Sequence, residues 1–314
     1  MTETATRDRT PDSPTELSKR TWMGTLKRTL REFKEDDLTL LAAALTYYGV
    51  LSLFPALLVL LALLGLAGQS TIDTLLENLG SITPGATRDV VTNAVRDLQS
   101  SNQAAGVALI AGLAGALWSA SGYVGAFMKA SNVIYEVEEG RKFWKLKPLQ
   151  IAVTVVIMLL TTMIVIAIVV TGPVAEKVGD IVGAGDAAVT VFNIVKWPVI
   201  AVVVSQIFAF LYWVGPNVKQ PGYRWVSPGG FVAVGLWILA SGAFAFYVAN
   251  FGSYSKTYGS MAAVIIFLIW LWITNLVMLL GAELNAEIER GRQIEGGHDP
   301  EVEPFLPHRE APKA

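Results

Sequence analysis

Residues 258–290 read YGSMAAVIIFLIWLWITNLVMLLGAELNAEIER, with an uncharged apolar run over 261–280 and charges only at Glu283, Glu287, Glu289 and Arg290. A helix that crosses about 30 Å of hydrocarbon needs roughly 20 apolar residues, and this run supplies them. The stretch therefore reads as a membrane span, about 261–284. Glu283 arrives while the helix is still apolar, because Leu284, Ala286 and Ile288 follow it. An ionised carboxylate against lipid is costly there, so Glu283 is expected to point into a bundle or a watered cavity. Arg290 returns seven residues later to nearly the same face, with Glu287 between them. The same three charges would also suit a helix end anchored among headgroups, and the stretch alone leaves both readings open.

Composition extends this reading to the whole chain. Of 314 residues, 53% are hydrophobic and only 16% charged, against about a quarter charged in average soluble domains. The expected fold class is all-α: a polytopic membrane protein of six transmembrane helices. A formal net charge of −2 gives no support to nucleic-acid binding. Cysteine is absent, which removes disulfides, thiolate catalysis and thiolate metal sites. The two histidines, His298 and His308, lie in the hydrophilic tail and read as solvated side chains, so no metal or cofactor is expected.

Outward from that span, the chain divides into a cytoplasmic segment 1–36, a membrane domain 37–290 and a disordered tail 291–314. The first part holds Ser13-Pro14-Thr15-Glu16, a good helix start. An amphipathic helix follows, setting Leu17, Trp22, Leu26, Leu30 and Phe33 against Lys19, Arg20, Lys27, Arg28, Arg31 and Lys34. It suits either an anionic leaflet or the bundle's cytoplasmic end. Asp36 and Asp37 read as caps for the first span, 38–66, which contains Tyr47, Tyr48, Ser52 and Pro55. Pro55 removes a backbone donor, so a kink and a freed carbonyl are expected. Between Gln69 and Gln103 two short amphipathic pieces predict an outer helical hairpin.

The second span, 104–127, is rich in Ala108, Gly112, Gly115, Ala116, Ser119 and Gly122, with Trp118 and Tyr123 as its bulky exceptions. Small residues at such spacing predict close helix contact. Arg141, Lys142, Trp144, Lys145 and Lys147 then suit a headgroup layer, cations on phosphates and a ring in the interface. The third span, 149–170, stops at Gly172-Pro173; the fourth, 189–214, contains Lys196-Trp197-Pro198; the fifth covers 228–249. Of 24 lysines and arginines, only Arg88, Arg96, Lys177, Lys196 and Lys256 fall on or toward the outer side if the N-terminus is inside. The positive-inside rule therefore predicts both termini in the cytoplasm.

Four stretches together resemble the YihY/BrkB family of bacterial inner-membrane proteins. They are Ala42-Ala43-Ala44-Leu45-Thr46-Tyr47-Tyr48 with Ser52-Leu53-Phe54-Pro55; Trp118-Ser119-Ala120-Ser121-Gly122; Asn250-Phe251-Gly252-Ser253-Tyr254 with Thr257-Tyr258-Gly259-Ser260; and Leu280-Gly281-Ala282-Glu283-Leu284-Asn285-Ala286-Glu287. The resemblance implies a six-helix fold in a bacterial plasma membrane. The family has carried the labels ribonuclease BN and virulence or serum-resistance factor, and some members are associated with export or flipping of envelope lipids.

Two functions follow as expectations. One is a transporter or flippase of an anionic amphiphile, with membrane lipids as partners. Glu283 would be its proton or gating carboxylate, and Tyr47, Tyr48, Ser52, Pro55, Trp118, Ser119, Asn250, Tyr254 and Tyr258 would line the path. The other is a non-transporting membrane scaffold that organises envelope enzymes. Under either function a homo-oligomer is a possible partner. Ribonuclease chemistry wants imidazoles or a metal cluster, and the membrane part has no histidine.

Overall fold

A computed structural model describes residues 11, 13–66, 103–182, 185–223, 227–250, 261–299 and 302–312. Among them, seven α-helices and no strands account for the architecture: α1 (Lys19–Glu35), α2 (Leu38–Leu66), α3 (Gln103–Ile134), α4 (Phe143–Val182), α5 (Gly185–Val214), α6 (Ser227–Asn250) and α7 (Met261–Glu295). Five of these, α2, α4, α5, α6 and α7, are long and apolar enough to cross a membrane. Their surfaces agree: Leu40, Leu239 and Phe246 are each about two-thirds exposed or more. The stretch expected as the second span lies in α3. The hairpin expected between Gln69 and Gln103, and Tyr254 and Tyr258, fall outside the described residues apart from Gln103, the first residue of α3.

Several boundaries differ from expectation, each for a local reason. Pro14–Glu16 forms only one 3-10 turn, and α1 begins after Ser18, whose hydroxyl accepts from the Thr21 N–H at 3.1 Å. Helix α4 continues through Gly172-Pro173 to Val182. Proline is tolerated inside membrane helices when neighbouring groups satisfy the freed carbonyl, and α2 and α5 likewise carry Pro55 and Pro198 within them.

The chain forms two compact units. One comprises Met1–Gly49, Tyr123–Lys147 and Val204–Ala314; the other Val50–Gly122 and Pro148–Val203. In the second unit, Thr154 and Thr162 are buried and donate to the carbonyls of Gln150 and Met158 one turn back, at 2.8 and 2.7 Å. Their hydroxyls thus need no partner helix. Lys196 lies over the Trp197 ring, 5.8 Å from its centroid. Among the described residues, nothing lies within 4 Å of where a Cβ on Gly112 or Gly115 would sit, so no close approach is seen there at these two positions.

The first unit is built around α7, which packs against α6 and α1. Close approach occurs here instead. A Cβ on Gly229 would fall 2.2 Å from the Gly281 carbonyl oxygen, and one on Gly281 would fall 2.6 Å from the Tyr212 hydroxyl. Only glycine lets these backbones meet. Asn285 uses the proximity: its Oδ1 accepts from the Gly229 N–H at 2.8 Å, satisfying a free donor at the start of α6. Within the apolar length of α7, Asn275 donates to Thr46 Oγ1 at 3.1 Å and accepts from the Tyr123 hydroxyl at 2.7 Å.

The tail expected to be disordered is partly ordered, because polar loops offer it a full set of partners. Val218 and His308 form an antiparallel backbone bridge that ties the tail to the loop after α5. Asn217 Nδ2 donates to the carbonyls of Glu138 and Glu310 at 3.0 and 2.8 Å. Arg309 donates to the Trp213 and Val218 carbonyls and lies over the Trp213 ring. The fit is tight at Gly140, where a Cβ would lie 1.9 Å from the Glu310 carbonyl oxygen.

Candidate functional site

The end of α7 turns a membrane helix into a buried charged surface. Glu283, Glu287, Glu289 and Arg290 are each at most 5% exposed. Spacings of four and seven residues put Glu283, Glu287 and Arg290 along one face, and α1 lies against it. The side of α1 that does so is polar: Thr25, Thr29 and Glu32, spaced like their counterparts on α7, are its buried residues. Thr25 Oγ1 donates to the Glu287 carbonyl oxygen at 3.2 Å, and Arg28 Nε donates to the Glu287 carboxylate. Further along, Thr21 and Ser18 hold Glu295. A small apolar cluster of Leu17, Trp22, Leu284 and Ile288 closes one side.

Arg290 is the hub. Its Nη2 donates to Glu303 at 2.7 Å, and its Nη1 lies 3.7 Å from Glu136, 3.7 Å from Glu287 and 3.9 Å from Glu32. The guanidinium also sits over the Phe305 ring, which stacks on Tyr135. One cation thus ties together α1, the end of α3, α7 and the tail. Glu289 is held separately by Arg292 and Gln293.

Glu283 lacks such a partner. Its carboxyl shares a hydrogen bond with Asp36, while its Oε2 is buried with no hydrogen-bond partner among the described residues. Asp36 was expected to cap α2; instead it ends α1, its N–H donating to Glu32 O at 2.8 Å, and its side chain joins the carboxyls. Around the hub stand Glu32, Asp36, Glu136, Glu283, Glu287 and Glu303 against Arg28, Arg31 and Arg290. Of these carboxyls Glu32, Glu283 and Glu287 are buried, Asp36 and Glu136 half-buried and Glu303 exposed, and like charges held so close together disfavour full ionisation. Burial, with the charge of Glu32, pushes Asp36 up to about 6. Burial, with a hydrogen bond to Glu303, pushes Glu136 up to about 8, and that bond holds Glu303 below its ordinary value. Chemically the arrangement can store and exchange protons. Among the described residues no group of three histidine, cysteine or acidic side chains is placed to hold a metal ion.

The other expected path residues lie elsewhere. Tyr47 and Tyr48 pack edge to face at 5.5 Å between ring centroids and are 62% and 40% exposed. Trp118 and Ser119 are exposed, Ser52 is buried and Pro55 is half-buried. Asn250 bonds back to Phe246 O at 2.8 Å, finishing its own helix. Of the expected headgroup contacts, Lys142, Trp144 and Lys145 are exposed and Lys147 is half-buried, with Lys145 paired to Glu310 at 2.8 Å. Arg141 corrects the expectation. It is 8% exposed and its guanidinium serves Glu139 and the Gly215 carbonyl at 2.7 and 2.9 Å. Arg28, Glu32, Asp36 and Asn275 were not singled out for the site, although the matching polar rows of α1 and α7 carried the signal for the first two.

The model of the family described as virulence factor BrkB matches residues 29–305. A Bacillus subtilis protein described as ribonuclease-like, YfkH, is 33% identical over 81% of this chain and 90% of its own length. A UPF0761 membrane protein from Alkalilimnicola ehrlichii is 31% identical over 81% of this chain and 55% of its own, and one from Chromohalobacter salexigens is 28% identical over 89% and 68%. No solved structure matches. With the family model spanning α1 to the ordered tail, the chain belongs to the BrkB family of membrane proteins.

Proposed function

We infer that the protein is a carrier or flippase of an anionic amphiphile, an envelope lipid being the natural cargo, in a bacterial plasma membrane. In this reading six spans cross the bilayer, α3 being the sixth, and both termini are cytoplasmic. The carrying observation is Glu283: a fully buried carboxyl at the end of a membrane helix, with one oxygen unpartnered among the described residues. An ionisable group is retained at such depth when it does something. A carboxyl that shares a hydrogen bond with Asp36 can take up and release a proton as its surroundings change, and so couple proton movement to the passage of a charged headgroup. Neither an enzyme activity nor a nucleic-acid partner is part of the proposal. The ribonuclease-like description of the Bacillus subtilis relative would require a catalytic set, and the membrane part of this chain has no imidazole to offer.

The test is reconstitution into vesicles containing a fluorescent anionic lipid. Wild-type protein should speed its movement between leaflets and Glu283→Gln should abolish the acceleration. Wild-type rates equal to empty vesicles would sink the reading. A second reading, a scaffold for envelope enzymes, is supported by the exposed Tyr47, Tyr48 and Trp118, since exposed aromatic side chains suit a protein contact. Crosslinking from Tyr48 to a stoichiometric partner, without lipid movement, would support it.

A further inference from the structure

Helix α1 is amphipathic in an unusual sense: the side it gives to the protein is polar and the side it leaves open is oily. At about 100° per residue, Thr25, Thr29 and Glu32 share the arc that meets α7, whereas Met23, Leu26 and Leu30 share the opposite arc and are 60%, 54% and 68% exposed. Beside that apolar strip run Lys19, Arg20, Lys27 and Lys34, all exposed. The remaining cations of the helix, Arg28 and Arg31, are engaged by Glu287 and by Glu32 and Glu35. Lys19, Arg20, Met23, Gly24 and Lys27 surround a shallow groove. The position of the helix is fixed by its neighbours: two residues after α1 ends, the membrane-crossing part of α2 begins at Leu38.

A helix that ends at the start of a span, with three bare aliphatic side chains and a cationic flank, matches the boundary between acyl chains and anionic headgroups. Water is a poor occupant for that strip, and a protein partner would have to fit between it and the bilayer. The geometry points to α1 as a docked surface helix: Met23, Leu26 and Leu30 enter the headgroup boundary of the leaflet next to the N-terminus, and Lys19, Arg20 and Lys27 select anionic phospholipid there. This does not depend on transport, and it gives the polar side of α1 its purpose as the inner wall of the carboxyl cluster.

The chain has no cysteine, so single reporters can be placed without background. Bimane on Leu26→Cys or Leu30→Cys, in the full chain within nanodiscs, is read against brominated phosphatidylglycerol, brominated phosphatidylcholine and aqueous iodide, with Thr15→Cys as the water-facing control. Both helix labels should be quenched by brominated lipid and shielded from iodide. Phosphatidylglycerol should quench them more than phosphatidylcholine does. Each cation that engages a headgroup favours the anionic lipid by up to about fivefold at low salt, and the preference should fall toward unity in Lys19→Gln/Arg20→Gln/Lys27→Gln. Iodide quenching at Leu26 as strong as at Thr15 would overturn the inference. So would shielding from every quencher with energy transfer between copies, which would assign the strip to a second chain. Equal quenching by the two lipids would remove the anionic selectivity.

Discussion

Helix α7 meets the demand for buried polarity twice, in opposite ways. At Asn275 the amide is neutral and both ends are satisfied, by Thr46 and Tyr123. Two turns further on, Glu283 is acidic and one of its oxygens has no partner among the described residues. A complete neutral network inside hydrocarbon is a means of joining helices. An incomplete acidic one costs stability, and under the proposed function it is the place where a proton comes and goes. The contrast separates what assembles the bundle from what the bundle can do.

The largest expected effect would come from the hub of the acidic region. Arg290→Met leaves Glu136, Glu287 and Glu303 without their shared cation, and removing one partner of a buried ion pair costs about 3–5 kcal/mol. Thermal unfolding in detergent should show a large drop. A loss no greater than that of a surface substitution would show that the carboxyls are already protonated or hydrated. For the neutral region, Asn275→Leu should cost about 1–2 kcal/mol, in the range of membrane hydrogen bonds, and leave lipid movement in vesicles intact. Transport failing there as completely as in Glu283→Gln would erase the distinction between the two sites.

A smaller effect should appear in the pH dependence, and its sign is fixed. Burial raises Asp36 to about 6 and Glu136 to about 8, above ordinary carboxyl values near about 4. The folded chain therefore holds these protons longer than the unfolded one. Their stabilising contribution is complete below about pH 4, and is lost as pH rises through about 6 for Asp36 and about 8 for Glu136. Asp36→Asn should flatten the decline in melting temperature between pH 4 and 6, and Glu136→Gln the part extending to pH 8. A melting temperature that instead rises across this window would show that ionised carboxylates stabilise the region. The smallest global effect is expected at Gly140→Ala, whose Cβ would strike the Glu310 carbonyl oxygen. It should free the tail to proteolysis, with little change in the melting of the bundle.

How far the sequence could be read depended on the range of each signal. Twenty uncharged residues in a row define a span without reference to anything else, so the helices built on 38–66 and 261–284 were legible, and Glu283 stood out because it broke the pattern. The partners of Glu283 were not legible. Asp36 looks like a helix cap because capping is a local rule, and only the packing of α1 on α7 gives its carboxyl another use. Arg141 was misplaced for the same reason: a basic, aromatic-rich run suits headgroups, while the Glu139 and Gly215 acceptors that bury this one residue are a matter of tertiary contact. The polar row of α1 was readable as a pattern, but which side faced protein depended on what the neighbouring helix offered.

The bond from Asn285 to the first turn of α6 has a mechanical consequence. With Gly229 pressed against Gly281 and its N–H held by Asn285, neither helix can turn about its axis or slide by a residue without stripping a donor bare in a dry place. The two must travel as one rod. Any rearrangement within the bundle has to take place along some other seam.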